Sequence, residues 1–199
     1  MGTMIEQIEQ APTGTWFRPS DLGGGNRAEQ ALSRLARDPK GTLVRAAKGV
    51  YYKSGPADPF FGKRRPDPTE TAVEVARGRG VGPSGPSAVA FLGLTTQVAP
   101  RPLLAVVGAA PVGVDGVDWK VRRNPKRAEL SFAEIAVVEM LSSYPYGVEA
   151  DWDAVVATVS ALRRSGEINL ERIAVVVSAE RRKPSLRENL ARLVADSEN

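Results

Sequence analysis

Four polar side chains recur close together along one short segment, and their types suit them to contact the edges of nucleic-acid bases. Arg27, Gln30 and Arg34 follow one another at intervals of three and four residues, and Ser33 lies beside them. An arginine can donate two parallel hydrogen bonds to guanine, and a glutamine amide can pair with adenine. We therefore predict that these four side chains contact base edges in the major groove of a DNA duplex.

A second set of cations surrounds these four side chains. Residues 18–53 hold eight lysines and arginines but only three acidic residues, although the whole chain carries a net charge of only +4. A local excess of positive charge attracts phosphate groups and speeds encounter with them, whereas the alternative is a solvated charged surface. The side chains predicted to contact phosphates are Arg18, Arg37, Arg45 and Lys48, and Lys48, at the tip of the predicted wing, could reach either the backbone or the minor groove.

One predicted helix, Asn26–Arg37, must position the candidate base contacts. Its apolar residues recur at helical spacing and form a stripe, and the candidate contacts lie off that stripe. Asn26 is a good helix cap, and Pro39 and Gly41 end the helix. The apolar residues of the stripe are Ala28, Ala31, Leu32 and Leu35.

The elements around this helix predict a winged helix-turn-helix over residues 1–54. Two strands joined by a tight turn follow the helix and would form the wing. The alternatives are a helical hairpin with a solvated basic face, and a winged module that binds a protein. The other predicted elements are a helix at 3–10, a strand fragment at Thr15–Phe17, a helix start at Pro19–Leu22 with Ser20 as cap, a glycine turn at Gly23–Gly25, strands at Thr42–Ala46 and Val50–Lys53, and a hairpin turn at Ala47–Gly49.

Residues 55–68 are predicted to be a linker because they are rich in proline and contain the basic run Lys63–Arg65. Residues 69–199 then form a mixed α/β second domain with a helical C-terminal tail, so the fold class is α+β. Ser131, with Glu134 three residues later, has the pattern of a capping box. The predicted elements are helices at Thr69–Val75 (capped by Thr69), Ser87–Leu92, Ser131–Ser143, Asp151–Arg164, Asn169–Val177 and Ser185–Ala195, strands at Leu103–Gly108 and Val117–Arg123, and a glycine-rich loop at Gly78–Gly85.

The composition argues against an enzyme. The chain has no histidine and no cysteine, which removes the usual general base at neutral pH and the commonest metal ligands. The glycines of 78–82 lack the Lys-Ser/Thr pair of a phosphate loop, so they are more typical of a connection. We expect no catalytic residues, no cofactor and no metal, and we expect the carboxylates Asp115, Asp118, Glu129 and Glu134 to lie at the surface.

No apolar run approaches the length of about 20 residues that a membrane-spanning helix needs. Residues 1–10 are polar and acidic, unlike a signal peptide. These features predict a cytoplasmic protein with no membrane partner.

Two motifs in order resemble the AbiEi-type antitoxins. The first comprises Trp16–Leu22, Gln30–Leu35 and Gly41–Tyr52, and is similar to the N-terminal domain of that family. The second, Pro83–Gly85 followed by Ala90–Val98, resembles the start of its C-terminal region. Together they cover most of residues 10–145. The tract Gly23–Gly25 departs from the family's common pattern, which has bulkier residues there.

The resemblance implies an antitoxin of a type IV toxin-antitoxin system. Such a protein binds operator DNA through its N-terminal domain to repress its own operon. Its C-terminal domain counters a nucleotidyltransferase toxin, either by direct binding or by functional opposition. The alternative is a ligand-responsive or dimerising transcriptional regulator with no toxin partner. The operator sequence, the oligomeric state and the roles of the Gly78–Gly85 loop and the helical tail stay open.

Overall fold

The computed structural model describes residues 4–197, which form eight α-helices and two three-stranded sheets. The predicted α+β fold class is therefore confirmed. The chain divides into two compact units. The first holds the residues up to Val75 together with Val112–Asp115, and the second holds Ala76–Pro111 and the chain from Gly116 onward.

The first unit follows the predicted order of elements. Thr3, at which the first predicted helix starts, lies outside the described residues. Thr15–Phe17 narrows to a two-residue strand, and Pro19–Leu22 is a single 3-10 turn. The elements are α1 (Met4–Gln10), β1 (Trp16–Phe17), the 3-10 turn (Pro19–Leu22), α2 (Gly25–Arg37), β2 (Leu43–Ala47), β3 (Val50–Lys53) and α3 (Pro68–Val75).

Strand β3 lies between β1 and β2 and pairs antiparallel with both. Trp16 lies opposite Tyr52, and their rings are 4.9 Å apart. Strand β2 runs one residue beyond its predicted end, to Ala47, so the hairpin turn is Lys48–Gly49 alone. Gly49 has φ +72°, which glycine adopts without strain, and the pairing of β2 with β3 shifts register between Arg45 and Ala47.

One apolar core joins the helices and the sheet of this unit. It contains Ile8 of α1, Phe17 of β1, Leu32 of α2, Leu43 of β2 and Tyr51 of β3, all of them buried. Each element contributes its inward-facing residue, so none of them can bury its apolar face without the others.

Two lysines satisfy backbone carbonyls inside the first unit. The buried ammonium of Lys53 donates hydrogen bonds to the carbonyls of Ile8 and Glu9, at 2.7 and 2.9 Å, near the end of α1. Lys63 donates to the carbonyls of Ala36 and Leu43, at 3.1 and 2.9 Å. The last carbonyls of a helix have no intrahelical partner, so these contacts satisfy helix ends while they join segments that are distant in sequence.

The predicted linker 55–68 is part of the first unit. Lys63 ties it to α2 and β2, and α3 also packs against β2. The boundary between the units therefore falls after Val75, which differs from the predicted division at 55–68. The prediction that Thr69 caps α3 is wrong. The carboxylate of Asp67 accepts the hydrogen bond from the Thr69 amide at 2.7 Å and so performs that role.

The second unit contains a small mixed sheet. β4 pairs antiparallel with β5, and β5 pairs parallel with β6 from Leu103 opposite Asp118 onward. β4 lies inside the stretch predicted to be a glycine-rich loop. The elements are β4 (Gly82–Pro83), α4 (Pro86–Phe91), β5 (Leu103–Val107), β6 (Asp118–Arg122), a 3-10 turn (Pro125–Glu129), α5 (Phe132–Ser143), α6 (Trp152–Arg164), α7 (Leu170–Ser178) and α8 (Pro184–Asp196).

Helix α5 is the centre of the second unit. Every residue from Ala133 to Leu141 is buried, and α4, β4, α7 and α8 pack around it. A helix that is covered on all sides needs partners for any polar side chain it carries. The predicted capping box is confirmed, because the Ser131 hydroxyl accepts from the Glu134 amide and the Glu134 carboxylate accepts from the Ser131 amide.

Candidate nucleic-acid interface

Helix α2 has one buried face and one exposed face, and the predicted base contacts belong to the exposed one. Ala28 and Leu32 are fully buried. Arg27, Gln30 and Arg34 are exposed, and Ser33 is half-buried at the edge of the same face. The helix is therefore held by its apolar stripe while its polar side chains stay accessible, as an amphipathic surface helix requires.

The start of α2 depends on three glycines, each in the left-handed region. Gly23, Gly24 and Gly25 have φ values of +88°, +73° and +77°. Gly24 occupies the N-cap position with ψ −174°, a conformation that is essentially restricted to glycine. Side chains of other types would be strained at Gly24, so the tract fixes the direction in which α2 leaves the preceding turn.

Two predicted caps are wrong, and only the first is explained by the glycine tract. Asn26 lies within the first turn of α2, because the helix begins one residue earlier than predicted, at Gly25. Ser20 lies inside the 3-10 turn, whose N-cap is Arg18. The Asp21 carboxylate accepts from the Arg18 amide at 2.9 Å, and the Ser20 hydroxyl lies 3.3 Å from the other Asp21 oxygen.

A shallow concave surface brings the exposed face of α2 together with the hairpin. Arg34 and Arg37 reach it from α2, and Arg45 reaches it from β2. Glu29 is the acidic residue on this surface. We call it the α2–β2 groove, and its lining residues are Asn26, Glu29, Gln30, Ser33, Arg34, Arg37, Arg45 and Tyr51.

Arg27 faces a different hollow, on the side of α2 toward α1. That hollow is lined by Met4, Ile5, Arg27, Gln30, Ala31 and Arg34. Gln30 and Arg34 border both hollows and therefore lie between them. Among the predicted base contacts, Gln30, Ser33 and Arg34 share the α2–β2 groove, and Arg27 stands at its outer side.

Five cations in and beside the α2–β2 groove are exposed. Within residues 4–197, the side chains of Arg27, Arg34, Arg37, Arg45 and Lys48 make no hydrogen bond or ion pair. Lys48 projects at the tip of the hairpin, beside Gly49. Arginines that satisfy no protein acceptor keep all their donors for a ligand, and the ligand that matches them is an anionic one.

Arg18 differs from the other predicted phosphate contacts. Its guanidinium donates to the carboxylate of Glu74 at 3.3 Å and also to the backbone carbonyl of Glu74. Only 25% of the Arg18 side chain is exposed. The structure therefore places Arg18 in a contact between the 3-10 turn and α3, apart from the α2–β2 groove.

A neighbouring groove holds cations that the sequence did not single out as contacts. Arg37 and Arg45 form one side of it, and Lys63 and Arg65 form the other. Arg37 and Arg45 also line the α2–β2 groove, so the two grooves are adjacent and these two arginines lie between them. The signal in the sequence was the basic run Lys63–Arg65, which was interpreted as part of a linker.

Among the described residues, the second unit contains two buried carboxylates, and both are held by arginines. Burial opposes the ionisation of Glu139, but hydrogen bonds and charge from Arg122 and Arg127, with a hydrogen bond from Ser84, lower its pKa to about 2. The Ser84 hydroxyl donates to Glu139 at 2.5 Å, and Arg127 also donates to Glu180. These charges are satisfied within the unit, so they stabilise the fold.

Glu134 corrects another prediction, because it is fully buried although it was expected at the surface. Burial raises the pKa of Glu134, but hydrogen bonds from Arg172 and from the amides of Ser131 and Asn169 outweigh burial and lower the pKa below its ordinary value. The Arg172 guanidinium lies 2.7 Å from the carboxylate. The other three carboxylates, Asp115, Asp118 and Glu129, are exposed as predicted.

In the part of the chain that the structure describes, no helix has both the length and the apolar character needed to cross a bilayer. Neither a family model nor a curated protein matches the chain. Among solved structures, the chain is similar to the RV2827C protein from Mycobacterium tuberculosis, at 18% identity and a TM-score of 0.47, over 98% of this chain and 76% of that chain. At that identity and score, the likeness carries no argument about function.

Proposed function

We propose that the first unit is a winged helix-turn-helix that binds duplex DNA, and that the protein is the antitoxin of a type IV, AbiE-like toxin-antitoxin system which represses its own operon. The observation that carries the DNA-binding proposal is the α2–β2 groove. There Arg34, Arg37 and Arg45 are exposed around one concave surface, without partners among the described residues, while Ala28 and Leu32 fix the helix from behind.

The major groove of DNA admits a single α-helix, and the exposed side of α2 has the chemistry to contact its floor. Gln30 and Arg34 are exposed on that side and Ser33 lies at its half-buried edge, and these three are the proposed base contacts. Arg27 lies at its edge and contacts a base or the neighbouring phosphate. Helix α2 corresponds to the recognition helix of such proteins.

The hairpin and the end of α2 supply the proposed phosphate contacts. Arg37 lies in the last turn of α2, Arg45 lies on β2, and Lys48 lies at the tip of the hairpin. These cations lie to one side of the base contacts, where a wing meets the sugar-phosphate backbone. Arg18 is not part of this set, because Glu74 already occupies its guanidinium.

A binding measurement with the full chain tests this proposal. The probe is a fluorescent duplex from the DNA upstream of the gene, titrated at several salt concentrations. Phosphate contacts predict that the logarithm of the affinity falls linearly with the logarithm of the salt concentration. The variant Arg163→Gln is a matched control, because Arg163 is exposed on α6 in the second unit. The absence of any salt-dependent duplex binding would contradict the proposal.

The antitoxin role of the second unit rests on the resemblance of Pro83–Gly85 and Ala90–Val98 to AbiEi-type proteins. We propose that this unit counters a nucleotidyltransferase toxin encoded beside it. Co-expression of the two genes should restore growth that the toxin alone arrests. A pull-down from the same cells separates direct binding from functional opposition. If no toxic neighbour exists, the remaining proposal is a regulator that senses a ligand or dimerises through this unit.

A further inference from the structure

The strongest feature outside the α2–β2 groove is a pair of aromatic side chains at the tip of a tight turn. Phe60 and Phe61 are each 90% exposed. They are adjacent in sequence, and both belong to the first unit. Large apolar side chains that are exposed side by side in this way mark a contact surface more often than chance, whereas single exposed apolar residues need no explanation.

The turn is ordered by its own hydrogen bonds. The backbones of Asp58 and Gly62 donate to each other at 2.8 and 2.9 Å, which closes a small loop. The Asp58 carboxylate accepts from the amides of Phe60 and Phe61 at 2.8 and 2.9 Å. The hydrogen bonds from Phe61 and Phe60 also lower the pKa of Asp58. Because these hydrogen bonds fix the backbone, the turn has little backbone conformational freedom to lose on binding.

The position of the turn indicates its partner. The turn ends at Gly62, and Gly62 lines the neighbouring groove together with Lys63, Arg65, Arg37 and Arg45. Lys63 fastens the end of the turn to α2 and β2 through the carbonyls of Ala36 and Leu43. Basic residues therefore line both adjacent grooves, the one that holds the predicted base contacts and the one that Gly62 borders at the end of the turn. A partner for this surface must be anionic where it meets the arginines and must offer flat apolar faces to the rings. Duplex DNA meets both requirements, because its backbone carries phosphates and its base pairs have flat apolar faces.

We propose that Phe60 and Phe61 form an apolar wedge that enters the minor groove of the same duplex that α2 binds, and that the wedge unstacks a base step there. Several DNA-binding proteins insert phenylalanine or leucine between base pairs in this way and bend the duplex. The proposal rests on the DNA-binding function proposed above. It adds a second contact to that function and predicts that the protein bends its operator.

The test uses the full chain and a duplex of upstream DNA in which 2-aminopurine replaces adenine at successive positions. Unstacking raises the fluorescence of 2-aminopurine, and circularly permuted fragments report a bend through their gel mobility. The double variant Phe60→Ala, Phe61→Ala should bind about tenfold more weakly or worse, since stacking on an aromatic ring contributes strongly to affinity. It should also lose the fluorescence signal and the bend.

The salt dependence provides an independent readout. The double variant removes no charge, so the slope of affinity against salt should stay unchanged while the affinity falls at every salt concentration. Tyr146→Ala is the matched control, because Tyr146 is an aromatic residue that is 82% exposed in the second unit. It should bind and bend DNA as the parent does.

Asp58 is a positioning residue in this proposal. The variant Asp58→Ala keeps both rings but loses the acceptor that orders the turn, so it should weaken binding and reduce the 2-aminopurine signal by less than the double variant does. Asp58→Asn should restore both, because its amide oxygen can accept the same hydrogen bonds.

The outcomes distinguish the wedge from DNA binding itself. If the parent protein binds the duplex and the double variant binds and unstacks it equally well, the wedge is rejected and the DNA-binding function stands. If the parent does not bind any duplex, both fail. A third outcome is that the parent sediments as a dimer and the double variant as a monomer, while both bind DNA equally well per protomer. The aromatic pair would then join two copies of the chain, and the wedge would again be rejected.

Discussion

The guanidinium of Arg18 contacts Glu74, a residue 56 positions later in the chain, through both the carboxylate and the backbone carbonyl of that residue. This contact connects the 3-10 turn, which precedes the proposed recognition helix, to α3. Both side chains are largely shielded, with exposed fractions of 25% and 21%. Arg18 therefore acts within the fold, although its position in the basic region had suggested a phosphate contact.

The first prediction concerns this contact. Arg18→Ala should lower the free energy of unfolding by about 1 kcal/mol, because it removes an ion pair and a hydrogen bond that are only partly exposed to solvent. The affinity for DNA should change little. Urea denaturation and the duplex titration measure the two effects separately. Arg27→Ala is the comparison variant, since Arg27 is exposed on α2 and its loss should leave stability unchanged. If Arg18→Ala lowers the affinity for DNA strongly and leaves the stability unchanged, Arg18 is a phosphate contact after all.

The second prediction separates base contacts from phosphate contacts. Arg34→Ala should lower operator affinity by about 1–3 kcal/mol and relax the preference at one base pair. Arg37→Ala should weaken binding to all sequences alike and reduce the salt slope by about 1. Competition titrations with single-base operator variants measure both effects. Equal, sequence-independent losses from the two variants would remove Arg34 from the base contacts.

The third prediction concerns the glycines before α2. Gly24→Ala should destabilise the protein by about 1–3 kcal/mol, because a side chain is strained at the backbone angles of Gly24. A Cβ at Gly24 would have no atom of residues 4–197 within 4 Å, so the cost comes from the backbone and not from a clash. DNA affinity should fall as well, since the direction of α2 would change.

Gly23→Asn is the matched control for that variant. Gly23 has φ +88° and ψ 0°, a left-handed conformation that asparagine tolerates. It should therefore cost less than Gly24→Ala, and a thermal melt of each variant makes the comparison. If the two variants lose equal stability, the difference in backbone conformation between Gly23 and Gly24 does not determine the cost of a side chain before α2.

The fourth prediction concerns acid. The pKa of Glu139 is about 2 in the folded protein and 4.5 for the ordinary group. The folded state therefore binds this proton less readily than the unfolded state. The stabilisation is fully present above about pH 4.5 and is lost as the pH falls toward 2, with a total of about 3 kcal/mol. Glu134, whose pKa is also lowered, acts in the same direction.

Urea denaturation between pH 7 and pH 2 measures this loss. Glu139→Gln should be less stable than the parent at pH 7, because it leaves the buried charge of Arg127 with only one of its two carboxylate partners, and its stability should vary less with pH. Arg122→Gln is a milder second variant, since Arg122 is more exposed than Arg127. If the stability curves of parent and Glu139→Gln run parallel down to pH 2, the proposed linkage is wrong.

Local signals in the sequence were sufficient for much of the fold. The apolar stripe through Ala28 and Leu32 identified α2, and the spacing of Ser131 and Glu134 identified the start of α5. Both signals lie within a few residues of the structure they specify. The failures at Asn26 and Ser20 were also local, since both have good capping side chains, but the positive φ angles of the adjacent glycines and the Asp21 carboxylate decided the outcome.

Contacts between distant residues were beyond the reach of those patterns. Glu134 could be predicted to cap its helix, but its burial depends on Arg172, which lies 38 residues later. Lys63 was assigned to a linker because nothing near it in sequence reveals the carbonyls of Ala36 and Leu43. The exposed side of α2 was predictable from the helical spacing of its apolar residues. That Arg18 lies apart from the α2–β2 groove could not be predicted, because it depends on where α3 packs.

The glycine tract has a consequence for anyone who wishes to change the target of this protein. Backbone angles at residues 23–25 set the direction of α2, and among the described residues the exposed side chains at positions 27, 30 and 34 make no hydrogen bond or ion pair. These three positions can therefore be randomised together in a library while the tract is kept constant. Variants selected from such a library for new operators should share the parent's thermal stability, because specificity and folding reside in separate residues.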